Sequence, residues 1–331
     1  MSNSDALWIT EAEVVDLISL PDAIPALERG LAQESAGKAN NMGKTHASWN
    51  QDKSTLHAIG AVMEGNGVVG TKTWAHTPGG ACPLLILFSA DTGTLLAVIE
   101  AFALGQMRTA GISGVATRWM AAEDALDMAL IGTGKQSLAQ VAGVFAVRPL
   151  KRLRVYSPNR ENRDAFISKA RKQFPFEIVG ADSVAAAVDQ AAIVTLVTRA
   201  REPFLAADML APGCHINAVG AITPERQEFR QDIFGRTGLV AVDTVDSVRR
   251  LSSEFMEYYG NEDVRWGSVQ PLSALVARRA GCPAGTDLSL FKAMGMGLSD
   301  LSLGVEILAR ARTSGAGRSV PTPVKVPARL V

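Results

Sequence analysis

The sequence is poor in the residues that build metal centres and disulfide frameworks. Its 331 residues include only three cysteines and four histidines. Cys82, Cys214 and Cys282 lie far apart, no pair has metal-ligand spacing, and their number is odd. The expectation is three reduced thiols in a cytoplasmic protein with no bound metal. An excess of one charge sign is also missing. Lys+Arg and Asp+Glu both number 33, so the formal net charge is zero. That balance gives no electrostatic reason for a nucleic-acid or anionic-membrane partner. No apolar run approaches the ~20 residues of a membrane span. The opening Met-Ser-Asn-Ser-Asp has no basic region leading into an apolar core, so no leader peptide is expected. There is no Gly-x-Ser-x-Gly elbow, no His-Glu-x-x-His helix and no Walker loop. No repeat recurs at solenoid periods.

The length predicts two domains or one large one. Leu17, Ile18, Leu20, Ile24, Leu27 and Leu31 recur at roughly helical spacing, which predicts helix over 10–38, with Pro21 and Pro25 suiting starts or breaks. Strands are expected at 54–63, 68–75, 84–90 and 94–100, the last two joined through the turn signal Asp91-Thr92-Gly93. This reads as a mostly antiparallel region. A small-residue helix is predicted over 105–121. From 125 the chain alternates strands (127–131, 152–156, 176–179, 192–197, 214–219, 238–242) with helices (136–146, 160–173, 182–190, 225–234, 244–259). That alternation predicts a parallel sheet covered on both faces. Residues 298–312 read as one more amphipathic helix, and the tail from 313 as extended.

Within the alternating part, an apolar run ends in Gly132-Thr133-Gly134-Lys135-Gln136 and leads into a helix. This is the pattern of a dinucleotide-binding βαβ unit. One glycine permits the tight turn and the next lets backbone approach a pyrophosphate at the helix N-terminus. Ser137 stands where a third glycine is often found. The second strand ends in Tyr156-Ser157-Pro158-Asn159-Arg160, with no carboxylate for a free ribose 2′-OH. Ser157, Asn159 and Arg160, with Arg163 nearby, suit a 2′-phosphate instead. The expectation is therefore NADP(H) in preference to NAD(H). Gly-x-Gly alone is a common turn, and its weight comes from the strand before it and the helix after it.

Other candidates are open on pattern alone. Lys72 lies within a predicted strand and either faces solvent or serves a site. Arg108, beside Thr109, either clamps a carboxylate or makes a surface ion pair. His46 and His76 are lone histidines. Lys292 and Asp300 flank the start of the last long helix and fit a structural role equally well.

Six ordered blocks resemble the ornithine cyclodeaminase/μ-crystallin family: GTKTW (70–74), DTGTLLAVIEA (91–101), QMRTAGISGVAT (106–117), ALIGTGKQ (129–136), GCHINAVGA (213–221) and LFKAMGMGLSD (290–300). The resemblance covers nearly the whole chain. It implies a homodimer of α/β subunits, each with a Rossmann-type doubly wound parallel sheet (118–312) inserted into a mixed α+β substrate-binding and dimerisation domain (1–117 plus 313–331). It implies that Lys72 is the active-site lysine and Arg108 the carboxylate-binding arginine. Cofactor contacts would come from Thr109, Gly132, Thr133, Gly134, Lys135, Gln136, Ser157, Asn159, Arg160, Thr198, Val219, Gly220, Lys292 and Gly295. Two departures stand out. Ile222 replaces an aspartate that meets the substrate's amino groups in ornithine cyclodeaminase. Lys44 stands near the place of a second carboxylate-binding arginine, keeping the charge but losing the planar fork.

The expected activity is NADPH-dependent reduction of the C=N bond of a small, possibly cyclic 2-imino acid, such as Δ1-pyrroline-2-carboxylate to proline. Lys44, Lys72, Arg108 and His76 would bind substrate, with Lys72 first and His76 or water second as proton donor. The alternatives are ornithine cyclodeamination, amino-acid dehydrogenation, or non-catalytic NADPH-dependent binding. The substrate pocket is expected from 44–60 and 74–82, with or without the partner subunit; His46, Trp49, His57, Trp74 and His76 suit a polar-aromatic lining and fit packing roles equally well.

Overall fold

The computed structural model describes residues 5–261, 263–321 and 323–331. Residues 1–4, read above for a leader, lie outside the described residues. The first half of the chain comprises β1 (Ala6–Ile9), α1 (Glu11–Leu17), α2 (Leu20–Ser35), β2 (Ala39–Trp49), β3 (Ser54–Met63), β4 (Val68–Thr77), β5 (Gly80–Ala81), β6 (Leu84–Ser89), β7 (Leu95–Glu100) and α3 (Phe102–Met120). The second comprises β8 (Asp127–Ile131), α4 (Ser137–Phe145), β9 (Arg152–Tyr156), α5 (Arg160–Ala170), β10 (Glu177–Gly180), α6 (Val184–Val188), β11 (Ile193–Leu196), β12 (Cys214–Ala218), β13 (Thr237–Val242), α7 (Val245–Leu251), α8 (Ser253–Tyr259), α9 (Asp263–Trp266), β14 (Val269–Pro271), α10 (Leu272–Arg278), β15 (Leu288–Lys292), α11 (Gly297–Ser314) and β16 (Arg318–Val320).

The expected N-terminal helix is two helices. Ser19 caps α2, its hydroxyl accepting from the Asp22 amide while the Asp22 carboxylate accepts from the Ser19 amide. This capping box starts a new helix where the apolar periodicity alone runs on. Pro21 falls in the first turn of α2, where a missing N–H costs nothing.

One sheet has the order β16-β1-β7-β6-β4-β3-β2, with β5 on β4, and is antiparallel except where β1 meets β7. The other has the order β10-β9-β8-β11-β12-β15-β13-β14 and is parallel throughout. Its core strands are buried on both faces, as cover by helices on both sides requires.

The chain leaves this parallel sheet through β15, which runs between β12 and β13 rather than at an edge. It then enters α11, which packs on β3, β4, α2 and α3. Leu298, Leu301, Leu303 and Ile307 share a core with Leu85, Leu87 and Ile99. Helix α11 therefore packs with the first sheet, whereas the expected boundary at 312/313 groups it with the parallel one. A Cβ on Gly297 would stand 2.0 Å from the Gly60 carbonyl oxygen, so only glycine lets α11 cross β3 this closely.

Three further expectations differ. Residues 225–234 form a loop leading into a 3-10 turn at Gln231–Arg236, and 244–259 divides into α7 and α8. Strand β2 is mostly solvent-exposed and polar, so it lacks the alternation that would reveal it. Among the described residues no helix is long and apolar enough to cross a membrane.

Candidate active site

A cavity of about 650 Å³ runs between the two sheets, from Ser157 and Pro158 at one end to Lys44 and Trp74 at the other. The parallel sheet supplies the first end. The loops after β8, β11 and β12 lie side by side: the Val197 amide donates to the Ile131 carbonyl, Val219 to Leu196 and Gly132 to Tyr156. Gly132 has φ +108°, and a Cβ there would stand 2.7 Å from the Val197 carbonyl oxygen. Any other residue would be strained and blocked. Ser137, fully buried at the start of α4, donates from its hydroxyl to the Gly132 carbonyl (3.0 Å) and pins the turn.

Thr133, Gly134, Lys135 and Gln136 line the cavity in front of α4. A Cβ on Gly134 would meet nothing within 4 Å, so the backbone faces open space, and the buried Gln136 Oε1 has no hydrogen-bond partner among the described residues. Lys135, Arg199 and Arg226 add positive charge around it. The open cradle, the unused polar atom and the cations fit a dinucleotide pyrophosphate.

The other end is built by the first sheet. On β4, Val68, Gly70 and Lys72 alternate inward. That register turns Lys72 under α11, not to solvent, and only 4% of it is exposed. Its Nζ donates to Asp300 Oδ1 at 2.5 Å and sits 5.3 Å from the centre of the Trp74 ring. Arg108, from α3, brings Nε to 3.3 Å from the same Asp300 oxygen. Asp300 is fully buried, and among the described residues its Oδ2 accepts no hydrogen bond. Among the described residues neither Arg108 nor Lys44 donates a hydrogen bond, and both line the cavity.

Burial pushes the Lys72 ammonium down to about 8, against the opposing pull of Asp300; Arg108 and Lys44 push the same way as burial. Burial and then Arg108 also lower Lys44. Asp243 stands opposite on the β13 end, buried, accepting from the Met294 and Gly295 amides at 2.6–3.0 Å. Burial raises its carboxyl despite those donors. Lys44, Lys72 and Arg108 thus surround a space with fewer carboxylates than cations. Such a site attracts one carboxylate, while Asp300 alone opposes the loss of the Lys72 proton.

Of the expected residues, Lys44, Arg108, Thr109, Gly132, Thr133, Gly134, Lys135, Gln136, Ser157, Thr198, Val219, Gly220 and Gly295 line this cavity, with Lys72 directly behind. Ile222 lines it as well. Four do not. Lys292 is fully buried and ion-paired to Glu254 at 2.7 Å, because the pleat of β15 points it into the parallel sheet's own packing. Asn159 caps α5, its Oδ1 accepting from the Asn162 amide at 2.8 Å. Arg160 projects outward with its side chain 81% exposed, 3.9 Å from Asp164. His76 is exposed farther along β4. Arg163 is held by Asp164, Asp182 and the Ala181 carbonyl. Of the aromatic set, Trp74 lines the cavity, His57 stacks on it at 4.7 Å, and His46 stacks on His57. Asp243 is an acidic member of the site that local pattern does not reveal. Asp300 has no assigned role in the sequence, since its partner Lys72 is 228 residues away.

The description "ornithine cyclodeaminase/mu-crystallin family" matches the chain over residues 5–314. The chain belongs to this family. It is 24% identical over 326 residues to a Δ1-pyrroline-2-carboxylate reductase of Bacillus cereus, covering 95% of this chain and 99% of the relative. It is 29% identical over 217 residues to the ketimine reductase mu-crystallin of Mus musculus, covering 66% of each. The solved Δ1-pyrroline-2-carboxylate reductase of Thermococcus litoralis, in complex with NADH and L-proline, superimposes with a TM-score of 0.87 at 25% identity, covering 95% of this chain and all of that one. These relatives agree with the expected class, a nicotinamide-dependent oxidoreductase acting on C–N bonds.

Proposed function

We propose that the protein reduces the C=N bond of a small 2-imino acid to the amino acid with a nicotinamide cofactor, NADPH in preference to NADH. The observation that carries this reading is the excess of cations over carboxylates, with Arg108 and Lys44 facing the cavity beside the buried Lys72–Asp300 pair. Arg108 and Lys44 hold the substrate carboxylate. Lys72, protonated below about pH 8, gives its proton to the imine nitrogen and regains one from solvent after product leaves. Asp300 keeps that ammonium charged and aimed. The bound cofactor supplies the hydride. The net change is one hydride and one proton added across C=N.

Ile222 favours reduction over ornithine cyclodeamination, because an isoleucine can neither bind a second ammonium nor accept a proton. The lining residues Ile59, Trp74, Ile112 and Met296 suit a short apolar chain or ring. Cyclic five- and six-membered 2-imino acids, and pyruvate with methylamine, should oxidise NADPH, followed at the reduced-nicotinamide absorbance. Ornithine turnover with ammonia release and no net cofactor oxidation would contradict the proposal. NADPH binding without turnover of any imine would favour a binding protein.

The cofactor preference is supported by the β9 end, where Ser157 faces the cavity and no acidic side chain stands at the strand end. Arg160, exposed and only loosely paired, can swing to a 2′-phosphate. Replacing Arg160 with Glu should weaken NADPH much more than NADH in a fluorescence titration; equal losses would refute the phosphate role.

We also propose a homodimer. The outer part of β2–β3 exposes Met42, Trp49 and Leu56, large apolar side chains on a sheet extension with an open edge strand. Light scattering should give twice the 35.0 kDa chain mass.

A further inference from the structure

Two loops on the β11–β12 side of the cavity are tied together from beneath by one buried carboxylate. Glu228 is fully buried. Its Oε1 accepts from the Thr198 amide (2.7 Å) and hydroxyl (2.8 Å), and its Oε2 from the Gly220 (2.9 Å) and Ala221 (3.0 Å) amides. All four donors belong to the loops after β11 and β12. Behind it, the Glu228 amide donates to Glu254 Oε1 (2.7 Å), and Glu254 Oε2 receives Lys292 Nζ (2.7 Å) and the Ser252 hydroxyl (3.2 Å). Buried charges of this kind persist only when paired and hydrogen-bonded. Burial raises the Glu228 carboxyl, and Lys292, which answers Glu254 directly, opposes that rise without cancelling it.

The two tied loops, with Thr198, Val219, Gly220 and Ile222, line the cavity on the side away from Ser157. In a sheet of this strand order the β8–β10 half takes adenosine and the β11–β12 half takes the nicotinamide end. We infer that Glu228 is a positioning residue for the nicotinamide end of the cofactor site, fixing the spacing of the 197–199 and 219–222 loops, with Glu254 and Lys292 anchoring it. This rests on the dinucleotide reading of the cavity. It gives Lys292 its place: not a cofactor contact but the far end of the clamp.

Glu228→Gln tests it. The amide keeps the size but faces one pair of donors with its own N–H₂ group, leaving buried donors unmatched. NADPH binding, by tryptophan-fluorescence titration, should weaken by about tenfold or more. Binding of 2′,5′-ADP, which lacks the nicotinamide half, should stay within about twofold of wild type. Hydrogen exchange at Thr198, Gly220 and Ala221 should accelerate, while 132–136 stays unchanged. Glu228→Asp keeps the charge but is one methylene too short to reach both loops. It should show the same split, and it serves if the amide variant fails to fold. Unchanged NADPH affinity, or equal losses for NADPH and 2′,5′-ADP, would overturn the inference. A wild-type protein that binds neither NADPH nor NADH would overturn the dinucleotide reading, and the clamp's role with it.

Discussion

Lys72→Met lowers kcat/KM for imine reduction by about 10²–10⁴-fold, the range that a positioned proton donor contributes. The substitution removes the proton and leaves Asp300 with only Arg108 beside it. Cofactor affinity stays near wild type, because Lys72 lies at the far end of the cavity from Gly132–Gln136. The pH profile carries the mechanistic content. Lys72 titrates at about 8, lowered from 10.5 mainly by burial. With the ammonium form as the proposed donor, kcat/KM should be flat below that value and fall as pH rises through it. In the reverse, amine-oxidising direction the neutral amine is required, and the rate rises through the same range. Asp300→Asn removes the carboxylate that holds the ammonium up, so the alkaline limb moves to lower pH. A Lys72→Met enzyme with its alkaline limb intact would assign the titration, and the proton, to another group.

Arg108→Met raises KM for the imino acid and lowers kcat/KM by about 30-fold to several thousand-fold. Those losses correspond to the ~2–5 kcal/mol that removal of one partner from a desolvated charge pair costs. Arg108 offers a planar fork to the cavity and already touches Asp300 on its Nε side. Without it, Lys44 remains as a point charge, and the substrate loses its orientation as well as its affinity. Arg108→Lys recovers part of the binding and less of the rate, since a lysine restores charge but not the fork. Steady-state kinetics with substrate varied at saturating NADPH, alongside NADPH titration, separates the effects. A loss confined to NADPH affinity would place Arg108 on the cofactor instead.

Much of the parallel sheet was legible because its strands are short apolar runs separated by turn residues, and period and punctuation are local properties. The Gly132-x-Gly134 turn was legible for the same reason: φ +108° at Gly132 is a requirement that the sequence answers at one position. Strand β15 is not legible in this way, because its place between β12 and β13, outside the strand–helix alternation, is set by distant neighbours. Asn159 shows two readings of one residue in competition. It precedes a helix, and the cap satisfies an orphan amide close at hand, so its carbonyl oxygen is already used. Lys292 shows the limit of reading by adjacency. It stands two residues from cavity-lining Met294, yet the pleat sends it to Glu254.

The sequence by itself determined the two kinds of sheet, the dinucleotide turn, and the presence of a strand lysine and a helix arginine. Each follows from local periodicity, backbone freedom or residue type. Only the tertiary structure decided that these groups share one cavity. Lys72 on β4, Arg108 on α3 and Asp300 on α11 meet because the chain threads β15 through the middle of one sheet and returns α11 across the other. The Gly60–Gly297 crossing lets that helix come close enough. The shift of Lys72 to about 8 likewise has no local cause. It arises from burial beneath α11, with Asp300 pulling one way and Arg108 and Lys44 the other, and that balance exists only once these segments pack together.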